Sequence, residues 1–266
     1  SGFEGHKALI VYNMDAETAQ RLTKEEFILI GCSKYDEEKG FTFPSKGSIM
    51  VDRFIHIYNF LKMLDDPNGV DRVIITDVRD VVFQNNPTAW LDDFMLPDYD
   101  LVMGSENLLY SGEPWSKNNM INSFGEYFYD YKSDDPIYCA GVIAGRLDTI
   151  KDICLNLWLI CLGLNPHVPG GGGPDQAALN IMLTFGNVMY STLFTNAPSG
   201  WVVHAGTTMD AIRAGSGGIG EEYQRNPNMS IDFIQDVKYS VENNNILANE
   251  NPLTDRKSTR LNSSHV

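Results

Sequence analysis

Two aspartates, Asp77 and Asp80, stand three apart in the run VIITDVRDVVFQ, directly after four apolar or β-branched residues that read as a strand. Strand ends in α/β sheets are where such proteins bind ligands, and two carboxylates in one tight turn can be aimed at a single point. Like charges so placed repel unless a cation joins them, so divalent-metal binding is the chemistry this spacing suggests. The same spacing describes a capped turn, with Asp77 accepting backbone N–H bonds and Asp80 paired to Arg79. Spacing by itself leaves both readings open.

The elements that would hold this turn alternate in type. Residues 7–13 read as a short β-rich strand, and 15–22 as a helix with acids in its first turn. The apolar run 27–32 reads as a strand buried on both faces, and 36–48 as a polar loop. Over 53–64, Phe54, Ile57, Tyr58, Leu61 and Leu64 fall on one stripe at helical spacing, with Asp52 as the candidate cap. Residues 73–76, 101–104, 138–143 and 201–204 complete the predicted strands. Helices are predicted over 146–164 and 175–185, the second behind a run of four glycines and Pro174. This alternation predicts an α/β fold in one domain over residues 1–254, with a mostly parallel central sheet and helices on both faces.

Composition narrows the partners. Thirty-five acidic against 20 basic residues give a net charge of −15, which repels a phosphate backbone, so nucleic acid is not an expected partner. No stretch carries the roughly 20 apolar residues that span a bilayer; the most apolar, 150–164, is interrupted by Lys151, Asp152 and Asn156 and reads as a buried amphipathic helix. Cys32, Cys139, Cys154 and Cys161 lack CxxC spacing and are expected to be free thiols, which favours a reducing, cytoplasmic compartment without fixing the localisation. No leader segment is visible at the start. Residues 255–265, DRKSTRLNSSH, resemble the translation of a common sequencing-library adapter. They are expected to be non-native, with the natural chain continuing past Thr254, and are set aside in reasoning about the fold.

The strand followed by TDVRDVVFQ and an asparagine-containing turn with Pro87 is similar to the metal-binding segment of nucleotide-sugar glycosyltransferases of the GT-A fold. Those enzymes usually carry DxD; the DxxD here resembles the variant in glycosyltransferase domains that modify collagen hydroxylysine, and in microbial and viral enzymes with TDxRDVxFQ. The resemblance extends over about residues 7–207. It implies that Tyr12, Asn13 and Met14 seat the nucleotide, and that Arg53 reaches toward the metal turn or the donor. It places Val78 and Arg79 beside the donor with Asp77. The segment IYCAGVIAG, with Ala140 and Gly141, resembles the NAGxxxG stretch lining the donor sugar, although Cys139 replaces the usual asparagine. PDQAALN resembles the DQxxLN helix start, whose Asp175 and Gln176 approach the transferred sugar. His204 lies where a late histidine supplies a third metal ligand beside Asp77 and Asp80.

Each residue also has a plainer reading. Arg53 can snorkel from its helix, Gly141 and Gly145 can serve close packing, and Asp175 and Gln176 suit a helix start by charge alone. A lone histidine ending a strand is more often structural than a ligand. Trp90, Tyr110 and Trp115 are candidates to stack on an acceptor sugar, though aromatics at this density are more often core or rim; Glu106, after a strand, is a candidate base or acceptor-hydroxyl ligand but reads first as a solvated loop acid.

The implied activity is transfer of a sugar from a nucleoside diphosphate sugar to a hydroxyl on a glycan, protein or small-molecule acceptor, with Mn²⁺ (or Mg²⁺) neutralising the departing diphosphate. The glycine-rich loop at 170–173 is expected to close over the donor. Asp175 is the candidate base for an inverting reaction, whereas a retaining one needs none. Two other readings stay open: an aspartate-based phosphohydrolase or phosphotransferase, and a non-catalytic nucleotide-sugar-binding domain.

Overall fold

A computed structural model describes residues 3–12, 14–32, 34–36, 40–42, 48–64, 69–78, 81, 83, 85–95, 97–169, 171–185, 190–196, 199–202, 204, 239–242, 245–248 and 251–252, with backbone alone for 34–36, 40–42, 239–242, 245–248 and 251–252. The chain is α/β. Strand β1 (Lys7–Val11) leads through α1 (Ala16–Lys24) to β2 (Phe27–Gly31), which pairs with β1 in parallel. Asp15 starts α1, its carboxylate accepting from the Thr18 amide. A short antiparallel pair, β3 (Lys34–Asp36) and β4 (Gly40–Thr42), occupies much of what the sequence suggests is a loop.

Next come α2 (Ile49–Lys62), β5 (Arg72–Thr76), α3 (Pro87–Phe94) and β6 (Leu101–Leu109). They are followed by α4 (Pro114–Phe124), α5 (Glu126–Lys132) and β7 (Pro136–Arg146). Helices α6 (Leu147–Cys161) and α7 (Asp175–Phe185) precede β8 (Thr192–Thr195). A small antiparallel sheet of β9 (Tyr239–Glu242), β10 (Asn245–Ala248) and β11 (Asn251–Pro252) ends the described chain.

The expected mostly parallel sheet is corrected by the strand directions. The four-stranded sheet has the order β5-β7-β6-β8, and β7 runs antiparallel to both β5 and β6, while β6 and β8 are parallel. The reason lies between β6 and β7. Two short helices broken at Gly125 return the chain to the end of the sheet where β6 left it, so Leu109 faces Pro136 and the Tyr110 amide donates to the Asp135 carbonyl. A single crossover helix would have delivered the chain to the opposite end.

Helix α2 begins four residues earlier than its apolar stripe suggests. Ser48 is its N-cap, accepting from the Met50 amide at 3.2 Å, while Asp52 is buried inside the first turn and accepts from the Trp158 indole N–H at 3.2 Å. The stripe itself holds: Phe54 and Leu61 enter the main core, with Ile57, Tyr58 and Leu64 packed against it. Ile150, Ile153 and Leu157 of α6 and Met103 and Ile143 of the sheet complete that core. Each such side chain contributes about 1.5–3 kcal/mol by leaving water. Trp201, Val202 and His204 are not strand; the last strand of the main sheet is β8, pinned by the Thr195 hydroxyl donating to the Met103 carbonyl at 3.0 Å. Among the described residues no helix is long and apolar enough to cross a membrane, and all four cysteines are free thiols.

Candidate functional site

Strand β5 ends where Thr76 pairs with Val142, and the next amide, that of Asp77, donates to the Gly141 carbonyl at 2.9 Å. That bond fixes Asp77 at the sheet margin, against the middle of β7. A Cβ on residue 141 would lie 2.9 Å from Asp77 Oδ2 and 3.2 Å from Cys139 Sγ, so glycine there keeps room beside the carboxylate.

Arg53 reaches this point from the second turn of α2. Its Nη1 donates to Asp77 Oδ1, and its Nη2 donates to Asp175 Oδ2 at 2.9 Å and to the Ala140 carbonyl at 3.4 Å. Asp175 opens α7 and its side chain is 7% exposed, against 40% for Asp77. Burial raises the Asp175 pKa, and the Arg53 charge opposes that shift. Burial also works against charge on Arg53, yet Asp175 and Asp77 together hold its pKa above the ordinary value. One guanidinium thus ties three separate elements, α2, β5 and α7, at one end of the sheet.

A second group lies alongside. Strand β6 loses regular register with β7 between Met103 and Ser105 and again before Leu109, and Asn107 adopts φ 58°. Glu106 lies in this irregular stretch and is 8% exposed, not the solvated loop acid its neighbours Ser105 and Asn107 suggest. Gln176 of α7 and Cys139 of β7 hydrogen-bond its side chain. The chain after β8 passes over β6 at Gly104, where an added Cβ would lie 3.0 Å from Val202 Cβ. Two residues further along each segment, His204 and Glu106 meet. Ligand atoms of Glu106, Cys139 and His204 lie within 4.8 Å of one another.

Burial, then the nearby Glu113 charge, push the Glu106 carboxyl up from 4.5 to about 7, against the hydrogen bonds from Gln176 and Cys139. Between those values the folded chain keeps a proton that the unfolded chain has lost. Stability of the metal-free protein is therefore expected to fall as pH rises from about 4.5 to about 7 and then to level, by an amount of order 3 kcal/mol. Urea denaturation across that window measures it, and Glu106→Gln should flatten the profile.

The other candidate residues are distributed around these two groups. Tyr12, just past β1, hydrogen-bonds His56 Nδ1 at 3.1 Å, one helical turn beyond Arg53 on α2. Met14 is half-buried before α1, and Val78 is 70% exposed beyond Asp77. Asn13, Arg79 and Asp80 lie outside the described residues. Asp175 and Gln176 serve opposite groups, the first on Arg53 and the second on Glu106.

The described part of the glycine loop is held by α4: Trp115 Nε1 donates to the Gly171 carbonyl at 3.3 Å, and Asn119 Nδ2 to that of Gly173 at 2.9 Å. Of the aromatic candidates, Tyr110 is 1% exposed and is core. Trp90 packs between Phe94 and Trp201, leaving Trp115, against Gly172, beside the loop.

Sequence reasoning missed Glu106 and Cys139 as partners of His204. It also missed Asn180, whose amide bonds both the N–H and the carbonyl of Tyr138 and so clamps β7 to α7 where the β6 pairing is interrupted. The only advance signal was a run of polar residues, SEN, interrupting an apolar strand. No protein-family model matches the chain, and no curated protein matches it either.

Proposed function

We propose that the protein is a metal-dependent glycosyltransferase with a GT-A-type fold, moving a sugar from a nucleoside diphosphate sugar to a hydroxyl acceptor. The observation that carries this reading is the convergence, at one sheet margin, of the Asp77 carboxylate with Arg53 and Asp175, beside a glycine that leaves space at Asp77 Oδ2. A hard carboxylate on a side chain 40% exposed suits Mn²⁺ or Mg²⁺. Asp77 and Asp80 would hold that cation, which when bound neutralises the diphosphate as it departs.

The chain's own groups do the rest. Arg53 brings a fixed positive charge to the donor side, held in place by Asp175. Tyr12 hydrogen-bonds His56 of α2, and this reading assigns it, with Asn13 and Met14, to the nucleotide. Ala140 and Gly141 offer backbone at the sugar, where a side chain on residue 141 would intrude. In the reaction the bond from the anomeric carbon to the diphosphate oxygen breaks and a bond to the acceptor oxygen forms. Inversion requires a carboxylate to take the acceptor proton, and Asp175 is the one this reading assigns, with Gln176 beside it; retention requires none. The acceptor is a glycan, protein or small molecule.

The test is incubation of the full chain with Mn²⁺ and a panel of nucleotide sugars. Release of UDP or GDP that rises with an added acceptor is expected. Phosphate release from a simple ester would favour a phosphohydrolase instead, and binding without turnover would favour a silent nucleotide-sugar-binding domain.

A further inference from the structure

We propose that Glu106, Cys139 and His204 form a metal site of the zinc class, separate from the donor's cation and independent of whether sugar transfer is the reaction. Three segments far apart in sequence supply the ligands: the bulged part of β6, the centre of β7, and the stretch after β8. Their ligand atoms lie within 4.8 Å of one another. Tetrahedral zinc, with bonds of about 2.0–2.3 Å, sets its ligands roughly 3.5 Å apart, so a small inward adjustment of side chains closes the site.

The donor set selects the metal. A thiolate and an imidazole with one carboxylate favour Zn²⁺ or Co²⁺ over the harder Mg²⁺ and Mn²⁺. Three protein ligands leave one position open, the count of a site that can hold water or a substrate atom.

The surrounding groups are also those of a built site. Gly141 donates its amide to Cys139 Sγ at 3.2 Å, a bond that supports a thiolate, and Gln176 fixes Glu106. Gly104, by admitting Val202 so closely, sets the height at which His204 arrives over β6. On binding, the thiol proton of Cys139 passes to solvent as the sulfur–metal bond forms. In the proposed reading the donor's cation would take carboxylate oxygen from Asp77 and Asp80, with diphosphate and water able to complete its shell without His204.

Cobalt titration of the full chain, freed of metal, tests the site. The expected result is visible d–d bands of tetrahedral intensity with a near-ultraviolet thiolate-to-cobalt charge-transfer band, both displaced by Zn²⁺. Cys139→Ser should abolish the charge-transfer band, and His204→Ala should weaken cobalt binding by at least about 100-fold. Asp77→Ala should leave both spectra unchanged. The proposal is overturned if no charge-transfer band forms, if that band survives Cys139→Ser, or if cobalt binding is lost in Asp77→Ala. The last result would assign His204 to the donor's cation. X-ray absorption at the zinc edge of the loaded wild-type chain gives an answer even if a variant fails to fold: one sulfur in the shell supports the site, and none overturns it.

Discussion

Replacing Arg53 by alanine is expected to destabilise the fold by about 3–5 kcal/mol, the range for removing one partner of a buried ion pair. The carboxylate left behind is Asp175, whose side chain is 7% exposed, at the first position of α7. Water cannot solvate it there without opening the junction of α2 and α7. Urea denaturation with an unchanged m-value should show the loss as a lower midpoint. Adding Asp175→Asn to Arg53→Ala should restore much of it, because the stranded charge is then gone. Arg53→Lys is not expected to substitute, since one ammonium cannot reproduce the two-nitrogen contact with Asp77 and Asp175. A loss below about 1 kcal/mol in Arg53→Ala would mean that the ion pair does not organise this end of the sheet.

Asp77→Ala should behave in the opposite way. Its carboxylate is 40% exposed, and removing it leaves Arg53 balanced one-to-one by Asp175, so folding stability should change by no more than about 1 kcal/mol. Mn²⁺-dependent binding of a nucleoside diphosphate, measured by calorimetry, is expected to drop by at least about 100-fold, the upper end of what losing a group that merely supports a metal ligand costs. Gly141→Ala offers a finer probe of the same spot, since its methyl would press on Asp77 Oδ2. Full Mn²⁺-dependent affinity in Asp77→Ala would remove the basis for placing a cation there.

The contrast between the two variants follows from depth. The Asp175–Arg53 ion pair joins α2 to α7 at one end of the sheet, and the pair serves the fold as well as any ligand. Asp77 lies at the rim, with one oxygen on Arg53 and the other beside Gly141. Stability therefore rests chiefly on the inner carboxylate, and cation binding is assigned to the outer one.

Local pattern was enough to determine the type of several helices and strands near the site, though seldom where they begin and end. The stripe from Phe54 to Leu64 buries as its spacing requires, the apolar run before Asp77 is a strand, and Asp175 opens a helix after Pro174. Those outcomes depend on neighbours within a few residues, which periodicity and capping report directly. The direction of β7 was not legible in that way. It depends on two helices between β6 and β7: α4, whose polar, weakly patterned sequence carries little amphipathic signal, and α5, only seven residues long.

The second group of side chains was hidden for a related reason. Glu106 lies in a strand buried along nearly its whole length, Cys139 meets it across the β6–β7 pairing, and His204 follows Val202, which packs close to Gly104. Residues 106, 139 and 204 have no fixed spacing that local rules could detect. Their meeting is a property of strand pairing across nearly a hundred residues, and pairing register is decided when the whole core packs.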